Sequence, residues 1–98
     1  MNHKIIVIIP AYNEQDNILE TIDLLLQADP TINYIVINDG STDNTKEILK
    51  KSDINHLNLP INLGIGGAVQ TGYKYALENN YDIAIQFDGD GQHNAIFI

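Results

Sequence analysis

The feature that most constrains this chain is a regular alternation of short apolar segments with longer amphipathic ones. Residues 5–9 form an uninterrupted β-branched run, as expected of a strand buried on both faces. Apolar residues then recur at Ile18, Ile22, Leu25 and Leu26, which is the spacing of one face of an amphipathic helix. Strands and helices that alternate in this way indicate right-handed βαβ units and a parallel sheet.

The same alternation continues to the end of the chain. Further strands are predicted at 34–37, 54–59 and 82–87, and further helices follow the second and third of the four strands. Asn44 and Glu47 are spaced as a capping pair for the second helix, and Gly72 in the third helix indicates close packing against a neighbour. We therefore predict a single α/β domain over residues 1–98, with four mainly parallel strands alternating with three helices.

The charge balance excludes some classes of function. The 98 residues include 13 acidic and 5 basic ones, for a net charge of −8. Such a chain lacks the clustered Lys and Arg that a nucleic-acid surface needs, so no nucleic-acid partner is expected. An acidic protein that binds a diphosphate needs helix N-termini, backbone amides or a bound cation.

The cysteine count and the hydropathy pattern bear on the cellular location of the protein. The chain has no cysteine, hence neither a disulfide framework nor a thiolate zinc site, which is consistent with a cytoplasmic protein. The apolar run near the N-terminus stops at Pro10 and is too short for a signal peptide. No stretch has the length of a membrane span, so none is predicted in this chain.

Polar clusters follow the predicted strands, at 10–14, 38–43, 62–67 and 88–93, and the last three contain glycine. The carboxyl ends of the strands are where open α/β sheets bind their ligands. The clusters are therefore the candidate site.

The last cluster is the candidate metal site. If strand geometry continues past Phe87, Asp88 and Asp90 point to one side of the strand, and Gly89 between them leaves room for a ligand. Paired carboxylates without a basic neighbour suit Mg²⁺ or Mn²⁺, and Gln92 adds another oxygen. The alternative is an acidic surface turn, which is the commoner fate of an isolated Asp-x-Asp.

The first two clusters suit a nucleotide. Tyr12 offers an aromatic face for a base, Glu14 a carboxylate for a ribose hydroxyl, and Asp39 an acceptor for a base or ribose. The alternatives are a strand-to-helix loop around Asn13 and Glu14 and a plain turn in which an aspartate caps the next helix.

The glycine-rich cluster at 64–67 is open to two interpretations. It resembles a phosphate-cradling loop at a helix N-terminus, but a tight strand-to-helix connection is the favoured one. A dinucleotide fingerprint would need glycine at Val69, and a P-loop counted from Gly67 meets Tyr73 and Lys74 where Lys-Ser or Lys-Thr is required. Neither acidic cluster has the residue spacing of an EF-hand.

Taken together, the four clusters resemble the family 2 glycosyltransferases of the GT-A fold. The segments that carry the resemblance are Ile9 to Glu14, Asn38 to Asp43, Asn62 to Ala68 and Asp88 to His93. The third and fourth segments are most similar to the polyprenyl- or dolichyl-phosphate sugar synthase branch. The resemblance implies a Rossmann-like GT-A half domain that binds a nucleotide-diphosphate sugar.

The resemblance also implies roles for the matching residues. Pro10, Ala11, Tyr12 and Glu14 would line the base and ribose, and Asp39 would contact the base with Ile37 beside it. Asp88, Gly89 and Asp90 would bind the sugar diphosphate. The metal ligands would be Asp88, Asp90 and Gln92. Mg²⁺ or Mn²⁺ would offset the charge on the departing nucleoside diphosphate.

The chain departs from the family pattern after His93, because Asn94 and Ala95 replace the usual acidic residue and proline. Family members continue into an acceptor-binding half that brings the catalytic base. We therefore expect the 98 residues to bind donor weakly and not to transfer sugar, within a parent enzyme at the cytoplasmic face of a membrane. The alternatives are a nucleotidyltransferase-like domain and a truncated, non-catalytic module that self-associates through an exposed sheet edge.

Overall fold

A computed structural model describes residues 3–87 and the backbone of residues 93–97. The strands are β1 Ile5–Ala11, β2 Asn33–Asn38, β3 His56–Asn58, β4 Ile83–Phe87 and β5 His93–Phe97. The helices are α1 Ile18–Ala28, α2 Thr45–Lys51 and α3 Gly64–Glu78. Strands and helices alternate from β1 to β4, as the hydropathy pattern predicts.

The strands form one sheet in the order β3-β2-β1-β4-β5. β1 pairs in parallel with both β2 and β4, and β2 pairs in parallel with β3. The predicted arrangement of four parallel strands with three helices is therefore confirmed. β5 pairs antiparallel with β4 and was not predicted, because its five residues have no strong strand pattern and are placed by pairing with β4.

The sheet is buried on both faces, and successive residues of β1 supply both. Ile6 and Ile8 pack into one apolar cluster with Ala68 and Ala76 of α3. The β1 residues Val7, Ile9 and Ala11 pack into a second cluster with residues of α1 and α2, namely Ile18, Ile22 and Leu49. A strand that is covered on both sides needs an apolar residue at every position, which explains the unbroken run.

α3 lies very close to β1. A Cβ atom placed on Gly72 would lie 2.4 Å from Cγ2 of Ile8, inside van der Waals contact. Only a residue without a side chain lets the helix approach this far, so the close packing predicted at Gly72 is confirmed.

Three local predictions were wrong in detail. Asn44 is the N-cap of α2 but makes no side-chain capping bond, so the Asn44–Glu47 capping pair does not form. The carboxylate of Asp43 accepts the backbone amide of Thr45 instead, at 2.9 Å. The third strand is shorter than predicted, and α3 begins within the glycine-rich cluster rather than after it.

Within the described residues, no helix is long and apolar enough to cross a membrane. β3 occupies one edge of the sheet. Self-association through such an edge stays a prediction.

Candidate functional site

The site lies at the edge of the sheet where the parallel strands end. In the sheet register Ala11, the last residue of β1, stands opposite Asn38, the last residue of β2. The backbone amide of Asp39 extends this pairing by donating to the carbonyl of Ala11 at 2.8 Å. The polar clusters at the ends of β1 and β2 are therefore joined by a backbone hydrogen bond where the two strands end.

A cavity of about 880 Å³ opens at this edge. This volume is in the range of pockets that hold cofactors and drug-sized ligands. Its lining comes from the end of β1, the start of α1, the β2–α2 loop and the start of α3. The lining residues are Ile9, Pro10, Ala11, Tyr12, Glu14, Asn17, Ile18, Glu20, Thr21, Leu24, Asp39, Asn62, Gly64, Ile65 and Ala68. The structure thus brings together Pro10, Ala11, Tyr12, Glu14 and Asp39, all of which the sequence singled out.

Tyr12 and Glu14 project from the segment that leaves β1. Tyr12 is 46% exposed, which leaves much of its ring open to a ligand. Glu14 is half-buried, and its backbone is held at both ends. Its amide donates to the hydroxyl of Thr45 at 2.9 Å, while its carbonyl accepts the amide of Ile18 at 2.8 Å. These two hydrogen bonds fix the backbone of Glu14, from which the carboxylate side chain extends along the cavity wall.

Asp39 is buried, and its carboxylate holds the opposite wall of the cavity. Oδ1 accepts the backbone amide of Leu63 at 2.7 Å, and Oδ2 accepts the carboxamide of Asn62 at 3.1 Å. The same carboxamide also donates to the carbonyl oxygen of Asp39, at 3.1 Å. Asn62 was not predicted as a site residue, although it lines the cavity and belongs to a cluster that the sequence marked.

Gly40 allows these two walls to approach. Its φ of 66° is in the left-handed region, and an added Cβ would lie 2.4 Å from the backbone nitrogen of Asn62. Because the obstacle is backbone, no side-chain movement could relieve it.

Ile37 does not reach the cavity. It is 0% exposed and packs in the apolar cluster between the sheet and α3. The expectation that Ile37 lies beside the base therefore needs correction, because strand alternation turns its side chain into the core. Its role in this structure is to support the strand that ends next to Asp39.

The glycine-rich cluster contributes the start of α3 rather than a free loop. Gly64, with a φ of 84°, and Ile65 line the cavity. Because residues 64–67 form the first turn of α3, they are not the strand-to-helix connection favoured for them, and that connection lies before Gly64.

The described lining carries negative charge without compensation. It includes Glu14, Glu20 and Asp39, and none of the lining residues is Lys, Arg or His. A neutral base and ribose suit such a wall, whereas a diphosphate needs a cation to approach it.

The predicted metal and diphosphate ligands Asp88, Gly89, Asp90 and Gln92 lie outside the described residues. β4 runs parallel to β1 and ends at Phe87, one residue past the pairing of Gln86 with Ile8. The chain therefore leaves β4 at the same sheet edge at which β1 and β2 end.

A family model described as Glycosyl transferase family 2 matches residues 6–98. The chain belongs to glycosyl transferase family 2. This confirms the resemblance carried by the four clusters, and the match covers each of them.

Relatives of this family 2 chain include enzymes named for lipid-phosphate acceptors. It is 41% identical to the UDP-N-acetylglucosamine–dolichyl-phosphate N-acetylglucosaminyltransferase of Methanococcus voltae, over 91% of this chain and 42% of that protein. It is 30% identical to the polyprenol monophosphomannose synthase of Mycolicibacterium smegmatis, over 92% of this chain and 36% of that protein. The family 2 chain thus spans about two fifths of the length of these curated relatives.

Solved glycosyltransferase structures share the fold. TarS residues 1–349 from S. aureus superpose with a TM-score of 0.73 at 27% identity, over 89% of this chain and 27% of that one. Glucosyl-3-phosphoglycerate synthase from Mycobacterium tuberculosis, in complex with Mn²⁺ and UDP-glucose, superposes with a TM-score of 0.67 at 26% identity. That match covers 91% of this chain and 34% of that one. The Rossmann-like GT-A fold predicted for the family 2 chain is therefore confirmed.

Proposed function

We propose that this chain is the donor-binding part of a metal-dependent glycosyltransferase that takes its sugar from a nucleotide-diphosphate sugar. The observation that carries the proposal is the convergence of Tyr12, Glu14 and Asp39 on one cavity at the carboxyl edge of the sheet. Family membership and the position of the cavity at the strand ends support the same assignment.

The cavity chemistry suits the nucleoside end of the donor. The exposed ring of Tyr12 provides a surface on which a base stacks, and the carboxylate of Glu14 accepts a bond from a ribose hydroxyl. Each carboxylate offers about four lone-pair positions, so Asp39 retains acceptor capacity for a base N–H beside its bonds to Asn62 and Leu63. Pro10 and Ala11 complete the wall between these groups.

The diphosphate end calls for a cation. In this proposal Asp88 and Asp90 hold Mg²⁺ or Mn²⁺ with Gln92, because hard cations prefer oxygen ligands and Gly89 leaves room for the sugar diphosphate. The acidic lining of the described cavity fits a ligand set that neutralises a diphosphate through a metal. When bound, the cation supplies charge stabilisation for the departing nucleoside diphosphate.

A polyprenyl phosphate is the acceptor we propose for the whole protein. The support is the likeness to relatives named for dolichyl and polyprenol phosphate. In the transfer, an acceptor oxygen forms a bond to the anomeric carbon while the bond from that carbon to the nucleoside diphosphate breaks. A polyprenyl chain is held in a membrane, and we propose that the parent enzyme works at its cytoplasmic face. We expect the 98 residues alone to bind donor weakly without transferring sugar.

The donor assignment is tested by NMR titration of the ¹⁵N-labelled chain with UDP and with GDP, each with and without Mn²⁺. We expect shifts at the amides of Tyr12, Glu14 and Asp39, and tighter binding when Mn²⁺ is present. The paired change Asp88→Asn plus Asp90→Asn should abolish the effect of Mn²⁺ on affinity.

A matched control is Asp23→Asn plus Asp53→Asn, which removes the same charge at positions outside the cavity lining. This variant should keep the response to Mn²⁺. Nucleotide binding that ignores the metal and the Asp88 and Asp90 changes would overturn the metal assignment, and shifts confined to residues away from the cavity would overturn the donor site.

A further inference from the structure

The segment that carries Tyr12 and Glu14 is fastened to the β2–α2 loop by a set of polar contacts, which we call the loop clamp. It joins residues 13–15 to residues 41–45. We propose that Asn13 is the positioning residue of the donor site, and that through the loop clamp it sets how tightly the nucleotide binds. This inference rests on the proposed function of the cavity.

Asn13 is the centre of the loop clamp. Its side-chain carbonyl oxygen accepts the backbone amides of Thr42, at 2.8 Å, and Asp43, at 3.3 Å. Its own backbone amide donates to the hydroxyl of Ser41 at 2.9 Å. One exposed side chain therefore organises the backbone of a loop that is 28–30 positions away in the sequence.

The backbone at Asn13 is bent into an uncommon conformation. Its φ of 52° is left-handed, a region that Asn tolerates better than most residues. The bend lies between Tyr12 and Glu14, both of which line the cavity. The side-chain bonds to Thr42 and Asp43 stabilise the bend, so losing them would free the orientation of both ligand-facing residues.

Neighbouring contacts extend the loop clamp on the far side of the bend. The amide of Gln15 donates to the carboxylate of Asp43 at 3.2 Å, and the side chain of Gln15 accepts the amide of Asn44 at 3.0 Å. With the bond from Glu14 to Thr45, every residue from 13 to 15 is fixed to the opposite loop. A site held in its binding conformation before the ligand arrives loses less entropy on binding.

Three variants separate the bend from the hydrogen bonds. Asn13→Gly permits the same φ but removes the acceptor oxygen, whereas Asn13→Asp keeps both an acceptor and tolerance of the bend. Asn80→Gly is the matched control, because Asn80 also has a positive φ, of 64°, and lies outside the cavity lining. If Asn13→Gly fails to fold, Gln15→Ala replaces it, since it removes a bond of the loop clamp at an exposed position.

Two measurements on each variant of the full chain test the proposal. We expect Asn13→Gly to weaken binding of UDP or GDP about tenfold, with Asn13→Asp and Asn80→Gly staying within about twofold of the original. We also expect faster hydrogen exchange at the amide of Glu14 in Asn13→Gly alone, measured without nucleotide.

The outcomes separate a positioning role from a structural one. The inference is overturned if Asn13→Gly lowers the melting temperature but leaves nucleotide affinity unchanged. It is also overturned if Asn80→Gly weakens nucleotide binding as much as Asn13→Gly does. If the original chain binds neither nucleotide, the proposed function fails. The loop clamp is then tested by hydrogen exchange at the amide of Glu14. If Asn13→Gly leaves that exchange rate unchanged, the loop clamp is overturned.

Discussion

The carboxylate of Asp39 accepts a 2.7 Å hydrogen bond from the backbone amide of Leu63, the residue immediately before α3. The acid that follows β2 therefore fixes the start of a helix that packs on the other side of the cavity. Since Asp39 also lines that cavity, one side chain both positions the start of α3 and forms part of the cavity wall. Changes at this residue should affect folding and nucleotide binding together.

The first prediction concerns that contact. Asp39→Ala leaves the amide of Leu63 without its acceptor, in a place where Asp39 is only 3% exposed, and removes one of the two acceptors of the Asn62 carboxamide. We expect the free energy of unfolding to fall by about 1–3 kcal/mol. Urea denaturation measures it, and Asp23→Ala on the exposed surface of α1 is the control that should change stability by less than about 0.5 kcal/mol. Equal stability of Asp39→Ala and the original chain would contradict the role of this contact.

The second prediction concerns the contact of α3 with β1. Gly72→Ala adds a methyl group where Ile8 already lies at 2.4 Å, so the strain should outweigh the gain in helix propensity. We expect a net loss of about 1–3 kcal/mol in the free energy of unfolding. Gly66→Ala is the matched control in the same helix, since an added Cβ there meets nothing within 4 Å. In thermal unfolding, Gly66→Ala should be at least as stable as the original chain. If Gly72→Ala proves as stable as Gly66→Ala, the close packing is refuted.

The third prediction concerns Thr45, which is 0% exposed and anchors the amide of Glu14 through its hydroxyl. Thr45→Val keeps the shape but removes the hydroxyl, which leaves the Glu14 amide without its partner. A loss of about 1–3 kcal/mol in unfolding free energy is expected from denaturant titration. Thr45→Ser restores the hydroxyl and should recover most of the bonding, so a Ser variant no better than Val would point to packing as the cause.

The fourth prediction concerns acid. Burial tends to raise the pKa of Asp43, but bonds from the hydroxyl and amide of Thr45 and the amide of Gln15 outweigh it and leave the pKa below its ordinary value. A carboxyl with a lowered folded pKa stabilises the fold above its unfolded pKa, and this contribution disappears as the pH falls through the folded pKa. The difference in free energy of unfolding between the original chain and Asp43→Ala should therefore be constant near neutral pH. It should shrink in strongly acidic solution.

NMR titration of the Asp43 carboxyl checks the cause directly. In Thr45→Val the loss of the hydroxyl donor should raise the pKa of Asp43 toward its ordinary value, whereas the pKa of Asp29, which is lowered by Thr31, should stay where it is. A pKa of Asp43 that is the same in both chains would show that the hydroxyl does not lower it.

Much of the fold was predictable because the core leaves a local pattern. A strand covered on both faces requires the run at 5–9, and an amphipathic helix requires the spacing of Ile18 and Ile22. The glycine at 72 indicated a close approach, but its neighbour, Ile8, has no signature in the local pattern. β5 was missed because its pairing with β4, and not its own composition, places it.

The candidate site was predictable in part. Polar clusters at strand ends converge in any parallel sheet, which is why Tyr12, Glu14 and Asp39 could be placed together. Ile37 was expected beside the base, but the alternation of β2 turns its side chain into the core. The contacts of Asn62 with Asp39 were not predicted, since they join positions 23 residues apart.

The sequence by itself determined the α/β class, the order of strands and helices, the family and the edge at which the site forms. These follow from hydropathy periods and from motifs, both of which are local properties of the chain. Only the tertiary structure decided that Asn13 orders the loop at 41–45 and that Asp39 holds the start of α3. Such hydrogen bonds depend on the register of β1 against β2 and on the approach allowed at Gly40. The distances between remote segments that make or break them have no signature in a local pattern.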